Sequence, residues 1–238
     1  MKLATLFQTT GAPPVKHLGL ALLGMLGLWA ASSYGYYYLV SAMSLNNGYD
    51  EAPFFFAAYY LLWTVASVLA FRGVLQERLS HAFTAYNAFA LAGLLLALGS
   101  YVTLVLPSLP EVTAEVAPPN PPDFMFASAW YYLPKSTDIL FQQVMVASLI
   151  LTAAKQGFAF GSITLAAALV FGGYHLTLYL DGFTPLYVAR FTTAACLFGL
   201  VVPYIYLRLK NEFLLAYGLH WSFYALDATL THFILSVP

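Results

Sequence analysis

The chain is organised as a series of long apolar runs separated by short polar or proline-containing segments. Seven runs are long enough to cross a bilayer, which takes about 20 residues per helix. Backbone amides in lipid must be paired within the spanning structure, and polar residues inside these runs recur at helical spacing, which favours helices over barrel strands. The predicted fold class is therefore an all-α polytopic membrane helical bundle. The predicted spans are residues 18–43, 53–71, 82–106, 137–154, 160–180, 184–207 and 213–235.

The first run contains a small polar cluster, Ser32-Ser33-Tyr34-Gly35, where a helix can kink. Two short helices and one long helix are both compatible with this pattern, and we predict one helix. The run is longer than the apolar part of a signal peptide and has no evident small-residue cleavage site, so we expect it to be retained.

Composition agrees with a membrane protein, because 61% of the residues are apolar and 8% are charged, against about 25% charged in soluble domains. The spans fill the chain, which predicts a single transmembrane domain over residues 1–238. A net charge of −1 excludes a basic surface for nucleic acid. The lone Cys196 excludes both a disulfide framework and a cysteine-rich metal site.

The distribution of Lys and Arg predicts the orientation. With the N-terminus in the cytoplasm, the inner segments hold every basic residue except Lys135 and Arg190. This asymmetry follows the positive-inside rule and predicts an N-in, C-out bundle.

The segment 107–136 differs from the other connections in carrying seven prolines and an aromatic patch around Phe124 and Trp130. Proline at this density predicts extended chain outside the membrane rather than helix. Two interpretations stay open. The segment is either an ordered cap whose aromatic residues lie at headgroup level, or a docking surface for another membrane protein subunit.

Polar side chains inside the spans concentrate in the fourth, fifth and seventh runs, on one face of each predicted helix. Asp138 and Gln142 are one turn apart with Gln143 beside them, His175 ends the stripe of the fifth run, and His220 lies on that of the seventh. Polar residues within a membrane either form packing networks, at about 1 kcal/mol per hydrogen bond, or mark a functional site.

These residues also resemble a known family. The stretch Leu169-Val-Phe171-Gly-Gly-Tyr-His175 followed by Leu215-Ala-Tyr-Gly-Leu-His220 resembles the second half of the CPBP family of CAAX prenyl endopeptidases and bacteriocin-processing membrane proteases. The resemblance covers residues 137–238. The family pattern is Glu-Glu-x-x-x-Arg, then Phe-x-x-x-His, then His-x-x-x-Asn, on three helices within the membrane. The resemblance implies a bacterial or archaeal cytoplasmic membrane protein.

The match to the family's catalytic positions is incomplete. Gln142 and Gln143 stand where the resemblance places the catalytic glutamates, Ala147 stands at the arginine, and Tyr224 stands at the asparagine. An amide cannot accept the proton of the attacking water, so glutamate-dependent hydrolysis is not expected. The resemblance therefore implies a degenerate site formed by His175, His220, Gln142, Gln143 and Asp138.

This leaves the enzymatic status open between two alternatives. The first is an accessory or structural subunit, or a binding module, that contacts lipid and other membrane subunits. The second is a divergent endopeptidase acting on a prenylated or leader-peptide substrate, with Asp138 or Asp227 as a shifted base. No cofactor is predicted, although a metal or haem at His175 and His220 is an option from the chemistry of imidazole.

Overall fold

The structure is a computed structural model that describes residues 14–80, 85–112, 117, 119 and 122–236. This part of the chain contains nine α-helices and no β-strand, which confirms the all-α polytopic class. The helices are α1 Pro14–Ala42, α2 Gly48–Glu51, α3 Pro53–Ala70, α4 Arg72–Ser80, α5 Ala85–Ser100, α6 Tyr132–Lys155, α7 Phe160–Tyr174, α8 Pro185–Arg208 and α9 Glu212–Ile234. Short 3₁₀ or π turns extend the ends of α5 and α7 and precede α6.

Six helical segments in the described part of the chain are long and apolar enough to cross a membrane: Leu18–Ala42, Pro53–Ala70, Asn87–Ser108, Ala129–Lys155, Phe160–Tyr179 and Pro185–Arg208. They correspond to the first six predicted spans. The seventh predicted span forms the 23-residue helix α9, which is not among these six segments. The first span is one continuous helix rather than two. The first residues of the third predicted span, 82–84, lie outside the described residues.

The predicted boundary between the proline-rich segment and the fourth span is wrong. That boundary was set at residue 137, whereas α6 begins at Tyr132. Pro134 lies in the first turn of the helix, where the proline ring fits and no N–H is required. Helix α7 also ends earlier than predicted, at Tyr174, and continues as a 3₁₀ turn to Tyr179.

Helix α6 stops at a glycine in the left-handed conformation. Gly157 has a φ of 79°, its N–H donates to Ala154 O at 3.0 Å, and Phe158 N–H donates to Ala153 O at 3.2 Å. This is the Schellman pattern, which satisfies carbonyls that the helix end leaves unpaired. The chain therefore reverses directly into α7.

Helix α6 forms the centre of the bundle. Its side chains are buried over almost the whole length, including its polar residues, and it contacts α1, α3, α7, α8 and α9. Helix α5, in contrast, is almost entirely exposed, and Phe89 on it is 81% exposed. The central position of α6 explains why a polar stripe on this helix becomes the floor of an internal site.

Helices α7 and α8 approach each other closely through glycines. A Cβ placed on Gly199 would lie 2.5 Å from the Cα of Ala168, and one placed on Gly172 would clash with the Cys196 sulfur. Small residues at such crossings let helix backbones come together in a membrane. This contact fixes the position of Phe171, which lies one turn from Ala168 and projects toward the centre of the bundle.

The proline-rich segment caps one end of the bundle as far as the structure describes it. Its rings Phe124 and Tyr131 are buried, and Phe124 packs edge-to-face on Phe191 and Tyr224. Trp130 is 56% exposed. Most of the aromatic patch proposed for docking therefore faces inward. Residues 113–116, 118, 120 and 121 of this segment lie outside the described residues.

Candidate functional site

The polar face of α6 forms a continuous buried chain of three side chains. Lys135 Nζ donates to Asp138 Oδ2 at 2.9 Å, and Gln142 Nε2 donates to Asp138 Oδ1 at 2.9 Å. Spacings of three and four residues place these groups on one face of the helix. Both oxygens of the Asp138 carboxylate are therefore engaged, one of them by an ammonium group.

Gln143 points in a different direction and ties α6 to α8 and α9. Its Nε2 donates to His220 Nδ1 at 2.9 Å, while its Oε1 accepts from Tyr206 Oη at 3.0 Å. An amide nitrogen only donates, so His220 Nδ1 is the acceptor of this bond. Gln143 thus uses both ends of its amide in contacts between helices.

His175 is oriented by its own helix. Its Nδ1 lies 2.8 Å from Phe171 O, and because a carbonyl oxygen only accepts, Nδ1 carries the hydrogen. In the neutral ring Nε2 is then an acceptor. The ring packs edge-on against Trp29, with the centroids 6.0 Å apart.

Phe171 links the two histidines. Its ring centroid lies 5.1 Å from that of His175 and 5.7 Å from that of His220. The structure therefore brings all five sequence-predicted site residues into one region. Asp138, Gln142 and His175 line a cavity, whereas Gln143 and His220 are buried in the adjoining helix contacts.

The cavity has a volume of about 640 Å³ and lies between α1, α3, α6, the α7 end, α8 and α9, under the cap. Its wall is aromatic and its floor is the polar chain of α6. The rings that line it are Trp29, Tyr34, Tyr36, Tyr37, Tyr49, Tyr60, Phe124, Tyr131, Tyr174, Phe183, Phe191 and Tyr224. The helices α1 and α7 end at this side of the bundle and α6 and α8 begin there, so the cavity lies at one end of the bundle.

Two titratable groups at this end lie outside the spanning segments. Burial raises the pKa of the Asp181 carboxyl above its ordinary value. Burial, together with the negative charge of Asp138 and the neighbouring Tyr60, raises the pKa of Tyr49 well above its ordinary value of 10.0. The Tyr49 phenol is therefore protonated at neutral pH.

Sequence reasoning missed three participants. Lys135 was assigned to the loop, although its spacing of three from Asp138 is a helical signal. Tyr206, which holds Gln143, belongs to no polar stripe that the sequence predicts. The ion pair between Arg190 and Asp227 joins α8 to α9, and only the tertiary structure brings these two residues together.

The described part of the chain holds no group of three His, Cys, Asp or Glu side chains suited to a metal ion, and the metal option at His175 and His220 stays a hypothesis. The haem option at His175 and His220 stays a hypothesis. Comparison of the chain with models of known families, with curated proteins and with solved structures gives no match.

Proposed function

We propose that this chain is a CPBP-like integral membrane protein, of a bacterial or archaeal cytoplasmic membrane, that lacks glutamate-dependent proteolysis. It acts as an accessory or structural subunit, or as a binding module, in a membrane protein complex. The observation that carries this proposal is the pairing of Asp138 and Asp227, the two carboxylates that could replace the missing glutamates. Asp138 is paired with Lys135, and Asp227 with Arg190.

Hydrolysis of a peptide bond by the family mechanism needs a group that takes a proton from water. Gln142 and Gln143 are amides and cannot do this. Asp138 is the nearest replacement, but a base acting from it would have to break a buried ion pair and the Gln142 hydrogen bond. Both oxygens of Asp138 are therefore engaged in a hydrogen-bonded network, which does not suit a general base.

The same network supports binding. A cavity of about 640 Å³ lies within the range of about 300–1,000 Å³ that small-molecule sites occupy, and its aromatic wall with a few buried polar groups is typical of such sites. The floor is rigid because Lys135, Asp138 and Gln142 hold one another. A preorganised pocket without a catalytic base is suited to binding a ligand.

A partner surface is also available on the outer side of the cap. The ring of Trp130 lies 5.6 Å from that of Phe54, measured between centroids, and both side chains are largely exposed. Exposed aromatic pairs are favourable anchors for protein interfaces. This supports contact with another membrane subunit through the segment 107–136.

The alternative function, a divergent intramembrane endopeptidase, is favoured by one observation. His175 and Asp138 line the same cavity, and the His175 Nε2 acceptor is not used by the described residues. In this alternative His175 accepts the proton from water, and Asp138 supports its charge.

A cleavage assay distinguishes the two functions. The purified full chain, reconstituted in lipid, is incubated with a farnesylated CAAX peptide and with a leader peptide, and products are measured by mass spectrometry. We expect no turnover from the wild type, and none from Gln142→Glu plus Gln143→Glu, because Ala147 occupies the arginine position. Wild-type cleavage that is lost in His175→Ala or Asp138→Asn would establish the endopeptidase instead.

A further inference from the structure

The wall of the cavity is suited to a cation. Aromatic faces attract ammonium groups, by about 0.5 to 2 kcal/mol per ring. The cavity already accommodates one such contact, because Lys135 Nζ lies 4.0 Å from the centroid of the Tyr224 ring and 6.0 Å from that of Tyr49. Further rings, including Trp29, Tyr36 and Tyr174, line the remaining space.

Two side chains that line the cavity have an acceptor atom with no partner among the described residues. Gln142 is 7% exposed, and its Oε1 is buried with no hydrogen-bond partner in the described structure. Leaving such an atom unpaired costs about 1–3 kcal/mol. His175 Nε2 is a second acceptor, since Nδ1 donates to Phe171 O. A ligand that satisfies both must present N–H or O–H donors.

The charge of the cavity is negative. Lys135 and Asp138 cancel each other, while Asp181 lines the cavity without a basic partner within 4 Å among the described residues. The end of the bundle around the cavity also carries negative charge. Arg190, which lies at this end, is neutralised by Asp227. The acidic residues there include Asp50, Glu51 and Glu111. This field raises the local concentration of cations.

We propose that the cavity binds an organic ammonium ion. The aromatic wall surrounds its apolar body and the charged nitrogen, Gln142 Oε1 and His175 Nε2 accept its N–H groups, and Asp181 provides the opposing charge. This inference rests on the proposed function, in which the cavity is a binding site, and names the class of its ligand.

Two sources supply this chemistry: the headgroup of an aminolipid, such as phosphatidylethanolamine, and a free amine from the aqueous side. The cavity lies at the end of the bundle, where it is within reach of either. The shared requirement is an ammonium group with N–H donors.

The test is isothermal titration of the purified full chain, in a non-ionic detergent, with hexylammonium as the probe. The matched control ligand is 1-hexanol, which has the same apolar body and a hydroxyl donor but no charge. We expect hexylammonium to bind at least tenfold more tightly than 1-hexanol. Equal affinities, or no saturable binding of hexylammonium, would overturn the proposal.

Three variants assign the binding to the cavity. Gln142→Met keeps the side-chain length but removes the buried acceptor, together with the Nε2 donor to Asp138, and we expect about a tenfold loss of hexylammonium affinity. Asp181→Asn removes the charge of an exposed residue, and we expect about a fivefold loss. Glu111→Gln is the matched control, since it removes an acidic residue at the same end but outside the cavity. If the Asp181→Asn and Gln142→Met variants both bind hexylammonium as tightly as the wild type does, the proposed binding site is wrong.

Lipid nanodiscs then distinguish the two sources. If an aminolipid is the natural ligand, hexylammonium binds more weakly in nanodiscs that contain phosphatidylethanolamine than in nanodiscs of equal surface charge that contain phosphatidylcholine, whose ammonium has no N–H. If a free amine is the ligand, the affinities are equal in the two membranes. Both results support the ammonium site. A failure of binding leaves the absence of proteolysis untouched, because the peptide cleavage assay measures that separately.

Discussion

At the scale of residues, the buried pair of Lys135 and Asp138 determines the chemistry of the site. Each is less than a tenth exposed, and a buried charge without its partner is costly. The sequence revealed Asp138 and Gln142 through their helical spacing. The sequence does not predict the pair with Lys135. The prolines before residue 137 predict extended chain there, which would not place Lys135 on the same helix face as Asp138. The ion pair of Arg190 with Asp227 joins two residues that are far apart in sequence, so the local sequence pattern does not predict it.

A double-mutant cycle tests this pairing. We expect Lys135→Met and Asp138→Leu each to lower the free energy of unfolding by about 3 kcal/mol, because each leaves one buried charge unpaired. The double variant is expected to lose much less than the sum of both. The measurement is thermal unfolding in detergent. Lys155→Met, at the exposed end of the same helix, is the control and should have little effect. Additive losses would contradict the pairing.

At the scale of elements, hydropathy located the helices, but their ends depend on local chemistry that hydropathy does not contain. Pro134 is compatible with helix only because it lies in the first turn of α6. The polar stripes were expected on single faces of their helices, and the convergence of His175 and His220 on Phe171 is a property of how α7, α8 and α9 pack. That packing depends on glycines, whose role at the crossing is visible only in three dimensions.

Gly199 gives the sharpest test of the α7–α8 crossing. Alanine normally stabilises a helix relative to glycine by about 1 kcal/mol. At this position the added Cβ would meet the backbone of Ala168, so we expect Gly199→Ala to be destabilising by about 1–3 kcal/mol. Gly173→Ala on α7 is the control, because nothing lies within 4 Å of its Cβ position. Thermal unfolding compares the two, and equal midpoints would show that the helices are not in close contact.

At the scale of the whole molecule, the bundle separates its charges by end. The two basic residues that the positive-inside pattern places outside, Lys135 and Arg190, are each neutralised by an aspartate. This explains how they are accommodated at the end that holds the cap and cavity. The all-α class followed from composition and hydropathy alone, whereas the cavity arises from the meeting of several helices and the cap.

Cysteine labelling tests the orientation. In a Cys196→Ala background, we expect Trp130→Cys in the cap to react with a membrane-impermeant maleimide added outside intact cells. Lys155→Cys, at the opposite end of α6, should react only after the membrane is opened. The reverse pattern would place the cap and cavity in the cytoplasm and contradict the N-in prediction.

We propose that this protein binds partners or ligands and does not cleave peptides. Native mass spectrometry of the complex, recovered from its own membranes in mild detergent through a tag on the N-terminus, tests it most directly. We predict a fixed ratio of the chain to another membrane subunit, with no peptide fragments bound. Recovery of the chain alone, carrying cleaved peptide products, would contradict the account.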